Sequence, residues 1–398
     1  MSLSNPRMTR RLPLFVVIGA GALARVAEGL SGVALIWMVV NMDQGAAPVG
    51  YLAAASLAAL MLSCVFGGAL VDRFGARRTA VVASIASALP IVALILIAAT
   101  DHLDLAVLFG LVILAQLPDG ATEAAFEARL PDLAETADLP LERVNAADDL
   151  IDGLAGITAA PIAGLIILHA GVGPALWIAV GVGLVSALGA ALALPNTKPP
   201  GGGDGGVTLG FRFLFARRDL LILLAAVAIL IAAFQTLEDV VLPVLIAHAG
   251  HGPDALGIVI GCAGGGAIIG SILYMALARR VSSRPAFLGP VFLIGLSLAA
   301  IAVSPSWPVL LLASGCAGAG AGVLSPLVNT LLQRAAPQAL RGRVLGAAAA
   351  LALSLAPITA GLSGVLIDRI GAGGVMAVFA ALIFCTAVCS PPRPASLQ

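Results

Sequence analysis

Short charged or turn-rich stretches break this sequence into apolar runs of about 20 residues or more, and few folds accept that pattern. An α-helix rises 1.5 Å per residue, so about 20 apolar residues match the hydrocarbon thickness of a bilayer. Twelve such runs stand out, at 12–40, 48–71, 78–99, 104–127, 145–168, 174–194, 220–247, 254–278, 286–303, 307–333, 343–367 and 373–390. Only 11% of the 398 residues are charged and 60% are hydrophobic, whereas a soluble domain has about 25% charged residues. Too few polar side chains remain to cover a water-facing surface. The spacing therefore predicts an all-α membrane protein of twelve transmembrane helices. Gly and Pro abound within the runs, at 46 and 24 in the chain, with Gly315 to Gly322 the densest stretch. Spanning helices tolerate both when neighbours satisfy the freed backbone and small residues permit close approach.

The basic residues set an orientation. With the N-terminus in the cytoplasm, every one of the 21 Lys and Arg except Arg25 and Arg369 falls in a cytoplasmic segment, as the bias of Lys and Arg toward cytoplasmic loops requires. A missed or extra span would scramble that partition. Arg7, Arg10 and Arg11 precede a run that continues to Val40 without a short signal-type core, so the first span is expected to be kept. Zero net charge excludes a bulk basic field for nucleic acid. The five cysteines lie in apolar stretches without metal-ligand spacing, and they read as packing residues with no metal and no cofactor.

Between the sixth and seventh runs, Pro195 to Leu209 contains PPGGGDGG, a composition suited to a flexible connector. The segment Gly210 to Asp219 after it, GFRFLFARRD, reads either as an interfacial helix or as a flank of the next span. The chain thus divides into an N-terminal lobe at 1–194, a linker at 195–219 and a C-terminal lobe at 220–398. A shift of 200 residues lays Arg143-Val144 on Arg343-Val344, Gly164 on Gly364, Gly171 on Gly371 and Gly173 on Gly373. Paired lobes of this kind are a recurrent transporter plan, with a site near mid-membrane.

After the second run comes Gly68-Ala-Leu-Val-Asp72-Arg73-Phe-Gly75-Ala-Arg77-Arg78. It resembles the G-x-L-x-D-R-x-G loop signature of the major facilitator superfamily, with Ala76 where many members carry a first basic residue. The resemblance implies a latch between the lobes on the cytoplasmic side. A second copy, Gly364-Val-Leu-Ile-Asp368-Arg369-Ile-Gly371, reads as an outer latch or as a tight charged turn, the turn being the simpler. Within the superfamily the chain is most similar to bacterial drug and siderophore exporters, through Leu130-Pro131-Asp132, Asn145-Ala146 and Arg341-Gly342-Arg343-Val344. Gly156, Pro161 and Gly164 partly match the Gly-Pro motif of proton antiporters, with Ala160 and Leu165 replacing glycines. The resemblance implies a multi-pass protein of the bacterial inner membrane, monomeric, with both termini cytoplasmic.

An ionisable side chain at membrane depth costs several kcal/mol, so it marks a functional site by default. Arg25 and Glu28 share a helix face in the first run and read as a coupling or substrate pair, or as a self-neutralised one. Asp119, Glu123 and Glu127 stack along the fourth run, loosened by Pro118 and Gly120. Asp119 and Glu123 are candidates for proton coupling, and Glu127 reads as a solvated end. Asp148 and Asp149 read as complements to a helix dipole, and Asp152 lies deep enough to join the acids of the fourth run. In the seventh run Gln235, Glu238 and Asp239 precede Pro243. His248 and His251 are either outside pH sensors or inert loop residues.

No GxxxxGK[ST] phosphate loop is present, and neither a His/Glu metal motif nor a nucleophile–base constellation appears within the runs, so a gradient rather than enzyme chemistry is expected. The leading expectation is proton-coupled export of a small amphiphile, drug-like or siderophore-like, by alternating access around a cavity lined by spans one, four, seven and ten. A lysophospholipid transporter or small-metabolite importer of the same fold is the alternative, and a non-transporting receptor or scaffold a remote one. The expected partners are small-molecule substrate, protons and lipid.

Overall fold

The structure is a computed structural model. It describes residues 6–42, 45–100, 103–195, 208–277, 283–337 and 341–389, which leaves most of the Pro195–Leu209 connector outside the described residues. Among the described residues there is helix and turn but no strand. The spans run Pro6–Val40, Ala47–Phe74, Ala76–Ala98, a broken fourth span, Leu141–Ala170, Val172–Ala193, a broken seventh span, Pro253–Leu277, Ser283–Val303 and Trp307–Ala335, and then continue from Arg341 to Cys389. Among the described residues, ten helices are long and apolar enough to cross a bilayer, or eleven when the bent second span is included. One of them, Val344–Thr386, covers 43 residues, about twice the roughly 20 that one crossing needs. It breaks at Gly371, whose φ of 75° is non-helical, and so supplies two crossings. Twelve spans result among the described residues, as the sequence predicts.

The breaks follow from single residues. Pro118 has no N–H, and the fourth span stops at Gln116 and restarts at Asp119–Glu127. Pro243 removes a donor from the seventh span, which runs Arg218–Thr236, makes a π-turn at Leu237–Val241 and resumes at Leu242–His248. Gly171 (φ 90°) joins spans five and six with no intervening loop, just as Gly371 joins spans eleven and twelve. These two glycines are equivalent positions of the 200-residue repeat, and only glycine reaches that backbone region at low cost.

The chain divides into two compact units, one of Met1–Leu35 with Ala58–Gly203 and one of Ile36–Leu57 with Asp204–Gln398. In the first, Leu14, Val17 and Ile18 of span one pack on Phe126, Leu130 and Val144. Spans one and six also join through the Ser186 hydroxyl, which donates to the Ala20 carbonyl at 2.6 Å. In the second, the densest contact is the glycine seam between spans eight and ten. A Cβ on Gly266 would overlap the Gly315 carbonyl, and one on Gly270, Gly318 or Gly322 would overlap the carbonyl of Ala319, Ala263 or Ala267. The GCAGAGAG stretch therefore serves backbone-to-backbone packing. The segment after the connector contains a helix at Thr208–Phe215. Its Leu214 is buried with Leu220, Leu224, Val328, Leu332 and Val344, while Arg212 and Phe215 are exposed. Leu192, Met275, Val303 and Leu312 are 75, 72, 87 and 71% exposed, a surface that calls for lipid.

Candidate functional site

In the first unit, the candidate charges make contacts between spans one and five and between spans three and four. Arg25 Nη2 donates to Asp148 Oδ1 at 3.1 Å, and the two side chains are 22% and 19% exposed. Asp148, which the sequence read as a dipole complement, is thus a partner of the intramembrane arginine. Glu28 lies one turn on, beside Gly29, where a Cβ would come within 2.7 Å of Ala159 Cβ. Glycine at this point lets span five approach span one closely, while Glu28 itself is exposed.

Asp119 opens the restarted half of span four and is half-buried, with Ser87 Oγ of span three donating to its Oδ1 at 2.6 Å. Pro118 starts this short helix without a side-chain cap, its carbonyl accepting from the N–H groups of Ala121 and Thr122 at 3.0 and 3.2 Å. Glu123 and Glu127 follow on the same helix and are both exposed. The side chain of Asp152 lies outside the described residues. Of the antiporter-like positions, Pro161 is accommodated within a continuous helix, Gly156 faces open space and Gly164 is buried.

The Gly68–Arg78 loop joins spans two and three. Its turn is made by Gly75 (φ 85°), while Asp72, Arg73 and Arg78 are exposed and Arg77 is half-buried. The Arg73 guanidinium lies 5.3 Å from the centroid of the Phe74 ring. A close helix approach lies one residue before the motif. A Cβ on Gly67 would lie 2.8 Å from the Gly120 carbonyl oxygen and 2.9 Å from Ala121 Cα, whereas Gly68 has nothing within 4 Å. Gly67 thus sets span two against the segment that carries Asp119.

In the second unit, Glu238 and Asp239 occupy the π-turn and are half-buried. A π-turn widens the helix and re-aims the side chains after it, a distortion common at functional sites. Thr236 Oγ1, just before the turn, lies 3.4 Å from Thr359 Oγ1 of span eleven. Gln235, one residue earlier, lines a cavity of about 310 Å³. Its walls are Leu224, Val227, Leu230, Ile231 and Phe234 of span seven, Leu324, Val328 and Leu332 of span ten, and Leu345, Ala348, Ala349 and Ala352 of span eleven. The polar groups in it are Gln235, Ser325 and Asn329, and among the described residues its lining holds no charged side chain. Ser325 and Asn329 carried no signal in the sequence, because uncharged polar residues are ordinary in a spanning helix. A second cleft of about 410 Å³ is lined by Trp37, Asn41, Gly45, His248 and His251 among others. The His251 ring there lies 5.3 Å from the Trp307 ring.

What these two units can do chemically is bounded by their contents. The first offers carboxylates held by a guanidinium and a hydroxyl, groups able to exchange a proton or a partner. The second offers an apolar chamber with three neutral hydrogen-bonding groups, the usual composition of a small-molecule site.

The chain is similar to known proteins along nearly its whole length. The multidrug efflux pump Tap of Mycobacterium tuberculosis is 31% identical over 399 aligned positions, covering 98% of this chain and 95% of that protein. The Tap pump of Mycolicibacterium fortuitum is 29% identical, covering 94% and 93%. Among solved structures, the nucleoside transporter NupG superposes with a TM-score of 0.75 at 15% identity, covering 95% of this chain and 98% of that one. A POT family transporter in complex with a thioalcohol-conjugated peptide gives 0.76 at 14% identity, covering 97% and 96%. The family model of the Major Facilitator Superfamily matches residues 17–361 and 239–396. With twelve spans, the loop signature at Gly68–Arg78 and these matches in hand, the chain belongs to the major facilitator superfamily.

Proposed function

We propose that this chain is a secondary active exporter of small, largely apolar drug-like molecules, driven by protons and working by alternating access. The observation that carries the reading is the cavity of about 310 Å³ in the second unit, apolar apart from Gln235, Ser325 and Asn329. Such a site accepts an uncharged amphiphile with a few hydrogen-bonding atoms. A siderophore, dense in oxygen ligands, would leave most of its polar atoms unpartnered there, at about 1–3 kcal/mol each. The similarity to the Tap multidrug efflux pumps supports the same cargo and direction.

The proton path in this proposal uses the acids outside that cavity. Asp119 with Ser87, and Glu238 and Asp239 in the π-turn, exchange protons as their surroundings alternate between wet and dry. Arg25 pairs with Asp148 and keeps spans one and five together meanwhile. The arginine-rich ends of the spans, with both termini, face the cytoplasm, supported by the distribution of Lys and Arg.

The test is flux of an uncharged fluorescent drug analogue in proteoliposomes with an imposed pH gradient, comparing the parent with Ala349→Trp. Ala349 is an exposed lining residue, so the indole fills the chamber without disturbing a buried contact. The expected result is gradient-dependent transport by the parent and a KM raised at least tenfold in the variant. Equal transport by both proteins would reject the chamber as the substrate site.

A further inference from the structure

The second copy of the loop pattern has no part in the reading above, yet it makes a long-range side-chain contact within its unit. Span eleven lies against the start of span two. The backbone N–H of Ala46 donates to Asp368 Oδ1 at 3.0 Å. Ala46 immediately precedes the helix Ala47–Phe74, so the carboxylate lies at the positive end of that helix and satisfies one of its unused donors. One turn further along, two glycines meet. A Cβ on Gly50 would lie 2.7 Å from the Ala360 oxygen and from Gly364 Cα, and one on Gly364 would lie 2.8 Å from the Ala46 oxygen and 2.9 Å from Gly50 Cα. Gly45 has a φ of 81°, and a Cβ there would approach Asp368 Oδ1 to 3.3 Å. The sharp turn at the end of span eleven needs only Gly371. Gly364 and Asp368 therefore have a separate task.

The division of the molecule shows where that task lies. Residues Ile36–Leu57 pack with the C-terminal half, while span one up to Leu35 and span two from Ala58 pack with the N-terminal half. Two continuous helices thus change packing partner partway along. The contacts of Asp368 and Gly364 hold the exchanged segment where it is. The two copies of the pattern stand at opposite ends of span two, the first at its C-terminus and the second against its N-terminus.

We propose that Asp368 and Gly364, with Ala46 and Gly50, form a second latch that holds residues 36–57 on span eleven, and that its release opens this end of the transporter. The proposal rests on alternating access but not on the identity of the cargo. A carboxylate on a helix N-terminus is an electrostatic clasp, whereas the glycine pair is a steric one, so each can be perturbed independently.

The experiment is pulsed electron-spin distance measurement between labels at Asn41 and Ala249, both exposed, in the full chain with its native cysteines replaced and reconstituted in lipid without substrate. The expected result is a predominant short distance in the parent. Asp368→Ala raises the ratio of long to short distances about tenfold, and Asp368→Asn, which keeps an acceptor but loses the charge, raises it about threefold. Gly364→Ala shifts it in the same direction. Each variant must elute as a single species on gel filtration with parental helix content. Should Asp368→Ala not fold, Asp368→Asn decides. A ratio within a factor of 1.5 of the parent in the folded Asp368 variants overturns the proposal, and so does a shift confined to Gly364→Ala, which would mark a packing contact only. Because no cargo is present, failure here is separate from failure of the drug-export reading.

Discussion

Breaking the Arg25–Asp148 pair tests whether intramembrane charge organises the first unit. The charged atoms are 3.1 Å apart and the side chains about four-fifths buried. At an effective dielectric near 20 the gross attraction is about 5 kcal/mol. Removing both groups from water offsets a large part of this, and close charge pairs measured by double-mutant cycles couple by about 1.5 kcal/mol or more. A net coupling of about 2 kcal/mol follows. The assay is a cycle of Arg25→Gln, Asp148→Asn and the double variant, with unfolding by sodium dodecyl sulfate in mixed micelles. Each single substitution is expected to cost about 2–3 kcal/mol, because it strands a mostly buried partner. The double variant should cost about 2 kcal/mol less than their sum. Additivity within about 0.5 kcal/mol, the scatter of independent sites, would refute the reasoning.

Two further outcomes test other parts of the structure. In the seam between spans eight and ten, Gly270→Ala and Gly318→Ala drive a methyl into a facing carbonyl and should each cost about 1–3 kcal/mol in the same titration, while Gly265→Ala, with nothing within 4 Å, should be neutral or mildly stabilising. In the chamber, Asn329→Leu should weaken binding of hydrogen-bonding substrates about tenfold, the effect of about 1.4 kcal/mol, and leave purely apolar ones unchanged, as measured by fluorescence quenching.

Much of the architecture was legible because lipid imposes it. Runs of about 20 apolar residues, arginines confined to alternate loops and the 200-residue repeat anticipate the twelve spans, and Gly171 and Gly371 show why the repeat matters. Pro118 announced the break in span four. Pro243 marked span seven, though nothing in the sequence distinguished a π-turn from a kink. The site was harder to read because its contacts are long-range. Asp148 looked like a helix-end acid until folding brought it to Arg25, 123 residues away. Asp368 looked like part of a turn until Ala46 arrived from 322 residues away. That Gly67 and not Gly68 makes the close approach has a similar cause, since only the facing helix selects which glycine is needed. Ser325 and Asn329 carry no charge, and their place in a cavity depends on three helices at once.

The central claim is that half-buried carboxylates within the spans couple cargo movement to protons. It is tested most directly by counting gradient-driven flux in proteoliposomes for the parent and for Asp119→Asn, Glu238→Gln and Asp239→Asn. At least one variant should retain substrate binding and exchange yet lose accumulation against a gradient, the signature of uncoupling. Parental accumulation in all three would contradict the account.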